Sequence, residues 1–220
     1  MNKTNKYILL VAFSMSGFLN SCINIEQTTK INEDGSGCIK LEYYTTTSNL
    51  SMSDEIGGFS FNEDKAKKNF SSLNSEVMKI DIDSIKSDST IHIKLDIIFK
   101  DINKLSEAAG FEKIKASWIK INDEMEFKYI ISKDTTAAKS IGAEQYKLEY
   151  KFDFPNEVIS TNGAAGGNSV KWDKSVADLK EDIVMNAKVK TKSKTCGIIG
   201  IELPIIFLLG LILTKFKKFI

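Results

Sequence analysis

The chain has 220 residues, a formal net charge of +1, and 27% charged against 42% hydrophobic residues. Near-neutral charge leaves no basic face for nucleic acid, so none is expected as a partner. The sequence contains no arginine, which also removes the bidentate fork preferred for phosphate and carboxylate recognition.

The leader comes first. Lys3 and Lys6 precede the apolar run "YILLVAFSMSGFL", too short to span a bilayer comfortably but right for the apolar region of a signal peptide. The run ends in Leu19-Asn20-Ser21-Cys22. This resembles the bacterial lipobox, with leucine three places before the cysteine and a small residue directly before it. The resemblance implies cleavage between Ser21 and Cys22, and a diacylglycerol on the Cys22 thiol. Residues 1–21 are therefore expected to be a lipoprotein signal peptide, and residues 22–192 an extracytoplasmic domain.

Within that domain, period-two alternation predicts strands. "INIEQTTKIN" and "CIKLEYYTT" flank Asp34-Gly35-Ser36-Gly37, a hairpin signal because glycine accepts positive φ. Ile39, Leu41 and Tyr43 should share one face, with Lys40, Glu42 and Tyr44 on the other. "VMKIDIDSI" and "STIHIKLDIIFK" form a second pair around Ser87-Asp88. The first alternates Met78, Ile80 and Ile82; the second alternates Ile91, Ile93, Leu95, Ile97 and Phe99. "ASWIKI" and "MEFKYIIS" form a third, with Phe127, Tyr129 and Ile131 inward. "YKLEYKFDF" places Tyr146, Leu148, Tyr150, Phe152 and Phe154 on one side, and "NSVKWD" and "EDIVMNAKVK" close the domain.

Two short helices are expected between these strands. One starts at an Asn62 cap and carries Ala66, Phe70 and Leu73 on one stripe. The other, "DINKLSEAAG", groups Ile102, Leu105, Ala108 and Ala109 and stops at Gly110. The expected fold class is α+β, a mostly antiparallel curved sheet of about seven to nine strands with two short helices packed on it.

The C-terminus adds a second anchor. After a linker at 193–196, "GIIGIELPIIFLLGLILT" (197–214) gives eighteen residues, roughly 27 Å of helix, close to a hydrocarbon core of about 30 Å. Glu202 lies near its outer end, where it can snorkel or protonate. Lys215, Lys217 and Lys218 in the tail 215–220 favour the cytoplasmic side. The domain is therefore expected outside the cytoplasmic membrane, tethered by lipid at Cys22 and by a single transmembrane helix. A strand running outward from Cys22 to Asp34 would cover roughly 40 Å, which argues against a Cys38–Cys196 disulfide.

The lipobox, the "DGSG" turn after the first strand and the stretch "FPNEVISTNGAAGGNSVKWD" before a transmembrane tail resemble the LppM-type domain of bacterial envelope lipoproteins. The resemblance implies a mixed sheet domain with a cavity for lipid or glycolipid; it assigns no functional residue.

No catalytic set emerges, and the chain is not expected to be an enzyme. His92, the one histidine, falls on the polar side of a strand. Catalysis by carboxylates would need residues such as Asp81 and Asp153 to converge in one pocket. Asp81, Asp83 and Asp88 lack the looped order of a calcium site, and neither a metal nor a cofactor is expected. "GAAGGN" (163–168) lacks the following lysine of a phosphate loop and reads as a hairpin turn. Trp118 and Trp172 are expected in the core. The leading functional expectation is a non-enzymatic, membrane-anchored envelope domain that binds lipid, glycolipid or an envelope protein. The alternative is a structural or assembly accessory that contacts a membrane complex through the transmembrane helix, with Glu202 as its polar handle.

Overall fold

Alternation gives each strand one apolar face, and that face has to be covered. The computed structural model describes residues 23–51 and 53–191. The leader 1–21, the cleavage site at Ser21 and Cys22 with its lipidation, Cys196, the linker 193–196, Glu202 in the span 197–214, and the tail 215–220 lie outside the described residues. Among the described residues, no helix is long and apolar enough to cross a membrane.

A seven-stranded sheet forms the floor. Its strands are β1 (Asn24–Ile31), β2 (Gly37–Thr46), β5 (Ser75–Ile85), β6 (Thr90–Phe99), β9 (Lys147–Asp153), β11 (Ala164–Gly166) and β12 (Ser169–Ser175). The spatial order is β11-β12-β9-β1-β2-β6-β5. A second, four-stranded sheet runs β10-β13-β8-β7, from β7 (Ile114–Ile121), β8 (Glu124–Ile131), β10 (Val158–Thr161) and β13 (Ile183–Lys190). A two-residue-per-strand hairpin, β3 (Glu55–Ile56) with β4 (Phe59–Ser60), stands apart.

The β-rich, mostly antiparallel expectation holds, with three corrections. The described residues form thirteen strands instead of about seven to nine, because β3, β4, β10 and β11 are two to four residues long, too short to show alternation. The strands divide between two facing sheets and a hairpin instead of forming one curved sheet, because periodicity reports which face is apolar but not which sheet a strand joins. In addition, β1 pairs in parallel with β9, Ile25 opposite Leu148 and Phe152 opposite Thr29. That long-range pair has no local sequence signal.

The inner face of the large sheet is covered by two units. The four-stranded sheet lies over the β9 and β12 side. There Phe127 packs on Phe152 with ring centroids 4.7 Å apart, Tyr129 lies 5.9 Å from Tyr150, and Trp118 stacks on Phe154 at 5.8 Å. Over β2 and β6, the cover is α1 (Glu63–Phe70), the β3–β4 hairpin and a pair of 3-10 turns (Ile102–Glu107, Ala109–Phe111). Tyr43 sits beneath this second cover, 5.1 Å from Phe59 and 5.4 Å from Phe61, and its hydroxyl donates to the Ser60 carbonyl at 2.5 Å. Burial pushes the Tyr43 and Tyr129 phenols well above the ordinary tyrosine value.

Local chemistry explains most element ends. Gly35 turns the β1–β2 hairpin with φ of +85°, and the Asp34 carboxylate accepts from the Ser36 amide at 3.0 Å and hydroxyl at 2.7 Å. The Asn62 side chain accepts from the Lys65 amide at 3.1 Å and starts α1. The helix stops at Ser71, so Leu73 does not join the Ala66–Phe70 stripe; it is 90% exposed. The segment expected as a second α-helix is two 3-10 turns broken at Ala108, whose backbone is extended. Its buried residues are Ile102, Leu105, Ala108 and Phe111, the spacing of three that a 3-10 helix requires. Ala109 is exposed. The expected alternation Met78, Ile80, Ile82 is interrupted because the β5–β6 register shifts between Val77 and Lys79. Met78 is the extra residue and is 60% exposed.

Gly110 lets the second 3-10 turn lie close against α1. A Cβ there would stand 2.4 Å from the Phe70 ring. Gly110→Ala should therefore destabilise the domain by about 1–3 kcal/mol, read as a lower urea midpoint with an unchanged slope.

Candidate functional site

The two covers do not abut completely, and the gap is a cavity of about 120 Å³. Its floor is the beginning of β1 and β9: Ile23, Ile25, Leu148 and Tyr150. One wall is the end of the four-stranded sheet, Ile114 and Ile131, with Ala137 of the short helix α2 (Thr135–Ala138). The opposite wall is Ala109 and Gly110, and Val176 and Leu179 close the side. The roof is Ile56-Gly57-Gly58-Phe59. Gly57 and Gly58 hold φ of +58° and +91°, which only glycine adopts freely, so the β3–β4 turn can be this tight.

Besides Tyr150 in the floor, the polar side chains of the lining are Glu112, Lys113, Ser132 and Asp134. Lys113 Nζ donates to Asp134 Oδ2 at 2.9 Å, and the Ala137 amide donates to Asp134 Oδ1 at 3.0 Å. The Ala137 backbone donor and then the Lys113 ammonium hold the Asp134 carboxyl below its ordinary value. Tyr150 in the floor is driven well above the ordinary phenol value by burial. An apolar bowl with one fixed ion pair at its lip suits a hydrocarbon chain. Its volume falls below the roughly 300–1,000 Å³ of drug-sized ligand sites, so it has room for a chain end and none for a sugar headgroup.

The sequence-derived candidates lie elsewhere. Trp118 stacks in the core and donates from Nε1 to the Glu33 carbonyl at 3.3 Å; Trp172 donates to Asn162 Oδ1 at 2.8 Å. His92 does lie on the outer face of the large sheet, as alternation requires. Its side chain is only 13% exposed, since Nδ1 contacts Glu42 Oε1 at 2.8 Å and its ring stacks on Tyr44 at 4.5 Å. Asp81 pairs with Lys79, Asp83 with Lys94 at 2.9 Å, and Asp88 accepts from the Thr90 amide and hydroxyl. Asp153 accepts from Ser169 at 2.5 Å on β9. Three strands lie between it and Asp81 on β5, so the two carboxylates are at least roughly 19 Å apart and do not converge. Among the described residues no His, Cys, Asp or Glu grouping could hold a metal ion. Cys38 is a free, exposed thiol. The 163–168 stretch is the β11–β12 hairpin, turned at Gly167 with φ of +66°.

The resemblance implied a cavity, but sequence reasoning named none of its residues, because the lining comes from at least six separate segments, each apolar for its own local reason. The Gly57-Gly58 pair between Ile56 and Phe59 was its one local mark.

No protein-family model matches the chain, and no curated protein does. Among solved structures it is similar to the folded domain of Mycobacterium tuberculosis LppM, determined by NMR. The two are 17% identical, with 80% of this chain and 94% of that one covered and a TM-score of 0.46. That likeness establishes no family membership and no shared ligand, so the cavity's own residues must carry the functional reading.

The rim pair has a pH signature. Because Asp134 is held low in the folded state, it stabilises the domain above the unfolded carboxyl value of about 3.9, and this contribution disappears as pH falls through the lower folded value. Asp134→Asn should melt below wild type near neutrality, and the two curves should converge in strong acid.

Proposed function

We propose that this protein is a non-enzymatic envelope lipoprotein, held outside the membrane by acylated Cys22 and by the helix at 197–214, which accepts the end of an acyl chain in the cavity between its two covers. The observation that carries the reading is the cavity's position. Ile23, one peptide bond from Cys22, is part of its floor. A lipid-modified Cys22 keeps the pocket within a residue of the bilayer, so a chain can enter without crossing water.

Each methylene moved from water into such a site gains about 0.8 kcal/mol, whereas one moved from bilayer gains almost nothing. Selection among chains therefore rests on fit under the Gly57-Gly58 roof. The second tether adds a geometric condition. β13 starts beside the cavity, Ile183 opposite Ile131, and carries the chain about 23 Å away from it. Residues 191–196 reach about 20 Å at full extension, so the strands lean over the bilayer instead of standing upright.

Native mass spectrometry of the detergent-extracted full chain tests the reading. Wild type should carry the diacylglycerol mass and retain an additional lipid. Ala137→Leu, which fills the cavity from α2, should lose that lipid while keeping its circular dichroism. Equal retention by the variant, or none by wild type, would contradict the proposal.

A further inference from the structure

Ile141 is 99% exposed, more than any other large apolar side chain among the described residues. Its display is built, because residues Ser140–Ala143 form a hydrogen-bonded turn. The Ala143 amide donates to the Ser140 carbonyl at 3.2 Å, and Gly142 takes φ +78° and ψ +15°. These are the requirements of a type II turn, whose second residue points its side chain outward. The turn is fixed from beneath. The Ser140 hydroxyl donates to the Ala137 carbonyl at 2.7 Å, and Ala143 is buried. Lys139, also exposed, stands beside the tip.

The location gives this display a meaning. The chain runs from the turn into β9, where the Lys147 amide donates to Asn24 Oδ1 at 2.9 Å. The turn therefore sits at the same end of the domain as Ile23, and Ala137, four residues earlier, is a cavity wall. Cys22 directly precedes Ile23 in the chain. Ile141, the cavity and Ile23, the residue that follows Cys22, all occupy one end of the described domain.

We infer that the Ile141 turn is a membrane wedge. Its isoleucine inserts at the headgroup–acyl boundary of the leaflet that holds Cys22, Lys139 remains among the headgroups, and the cavity end is pressed onto the lipid surface. The partner is the bilayer itself. The inference rests on the anchored reading above and extends it by naming the contact that orients the domain.

Leu73 supplies an internal control. It is 90% exposed but lies at the opposite end, since Ser75 pairs with Phe99 and Phe99 with Gly37 beside the Asp34 turn. The experiment uses the full chain in phosphatidylcholine–phosphatidylglycerol nanodiscs with Cys38 and Cys196 replaced by serine. A polarity-sensitive fluorophore is placed at Ile141→Cys or Leu73→Cys, with spin-labelled lipid as quencher. The 141 label should be blue-shifted and quenched several-fold more than the 73 label, and an added Lys139→Glu change should reduce that quenching. Equal quenching at the two sites in protein of acylated mass overturns the wedge, as would an unshifted 141 label. An unacylated mass sinks the anchored reading instead, so the two failures are distinguishable. Because Ile141 contacts no core residue through its exposed side chain, Ile141→Ser should keep the wild-type melting temperature; a large drop would count against the wedge and for a packing role.

Discussion

The organising constraint is the width of one apolar face. Seven strands side by side, four of them long, present an inner surface broader than one helix or one small sheet can cover. The chain meets this with two covers of different construction. An aromatic-rich four-stranded sheet lies over β9 and β12, and a helix, a hairpin and two 3-10 turns lie over β2 and β6. Covers built from different segments meet imperfectly. The seam between them closes where the Asn103 side chain of the first 3-10 turn accepts from the Trp118 amide at 2.7 Å, and it opens at the cavity, between Ile114 and Ile131 on one side and Ala109 and Gly110 on the other. The cavity is a consequence of how the large sheet is covered.

The opposite face of the same sheet follows other rules. Lys171 lies between Glu149 at 2.7 Å and Asp173 at 2.8 Å, and Lys94 reaches Asp83. Exposed pairs of this kind add little to stability, so their role is to fix register and keep the surface soluble. The bulge at Met78 and the charges on Lys79, Asp81 and Asp83 also blunt β5, the open edge strand, as a template for other chains. A face so evenly mixed in sign offers little to an apolar ligand, whereas the end carrying Ile23 and Ile141 does.

Much of this architecture could be read from the chain. The hairpins at Asp34-Gly35 and Ser87-Asp88, the inward set of β9 and the Asn62 cap all follow from local chemistry, and the structure keeps them. What could not be read depends on distance in sequence. The β1–β9 pairing joins residues more than a hundred positions apart, and the 3-10 turns over 102–111 differ from a helix only in a spacing of three against three to four. The Met78 bulge looks like regular alternation until its partner strand is known. The cavity's place and lining were beyond reach for the same reason: Ile56, Ile114, Ile131 and Leu148 each look like an ordinary strand residue. Ile141, flanked by Lys139, Ser140 and Gly142, has the local composition of any loop. Only its exposure and its place beside Ile23 set it apart.

The account stands or falls on whether hydrocarbon enters the seam between the two covers. The direct measurement is a methyl-resolved NMR spectrum of the isoleucine, leucine and valine side chains, recorded as decanoate is added. Ile25, Ile56, Ile131 and Leu148 should shift together and saturably, while Ile119 and Ile159, exposed on or beside the four-stranded sheet, stay put. Shifts spread evenly over exposed and seam methyls, or none at all, would contradict it.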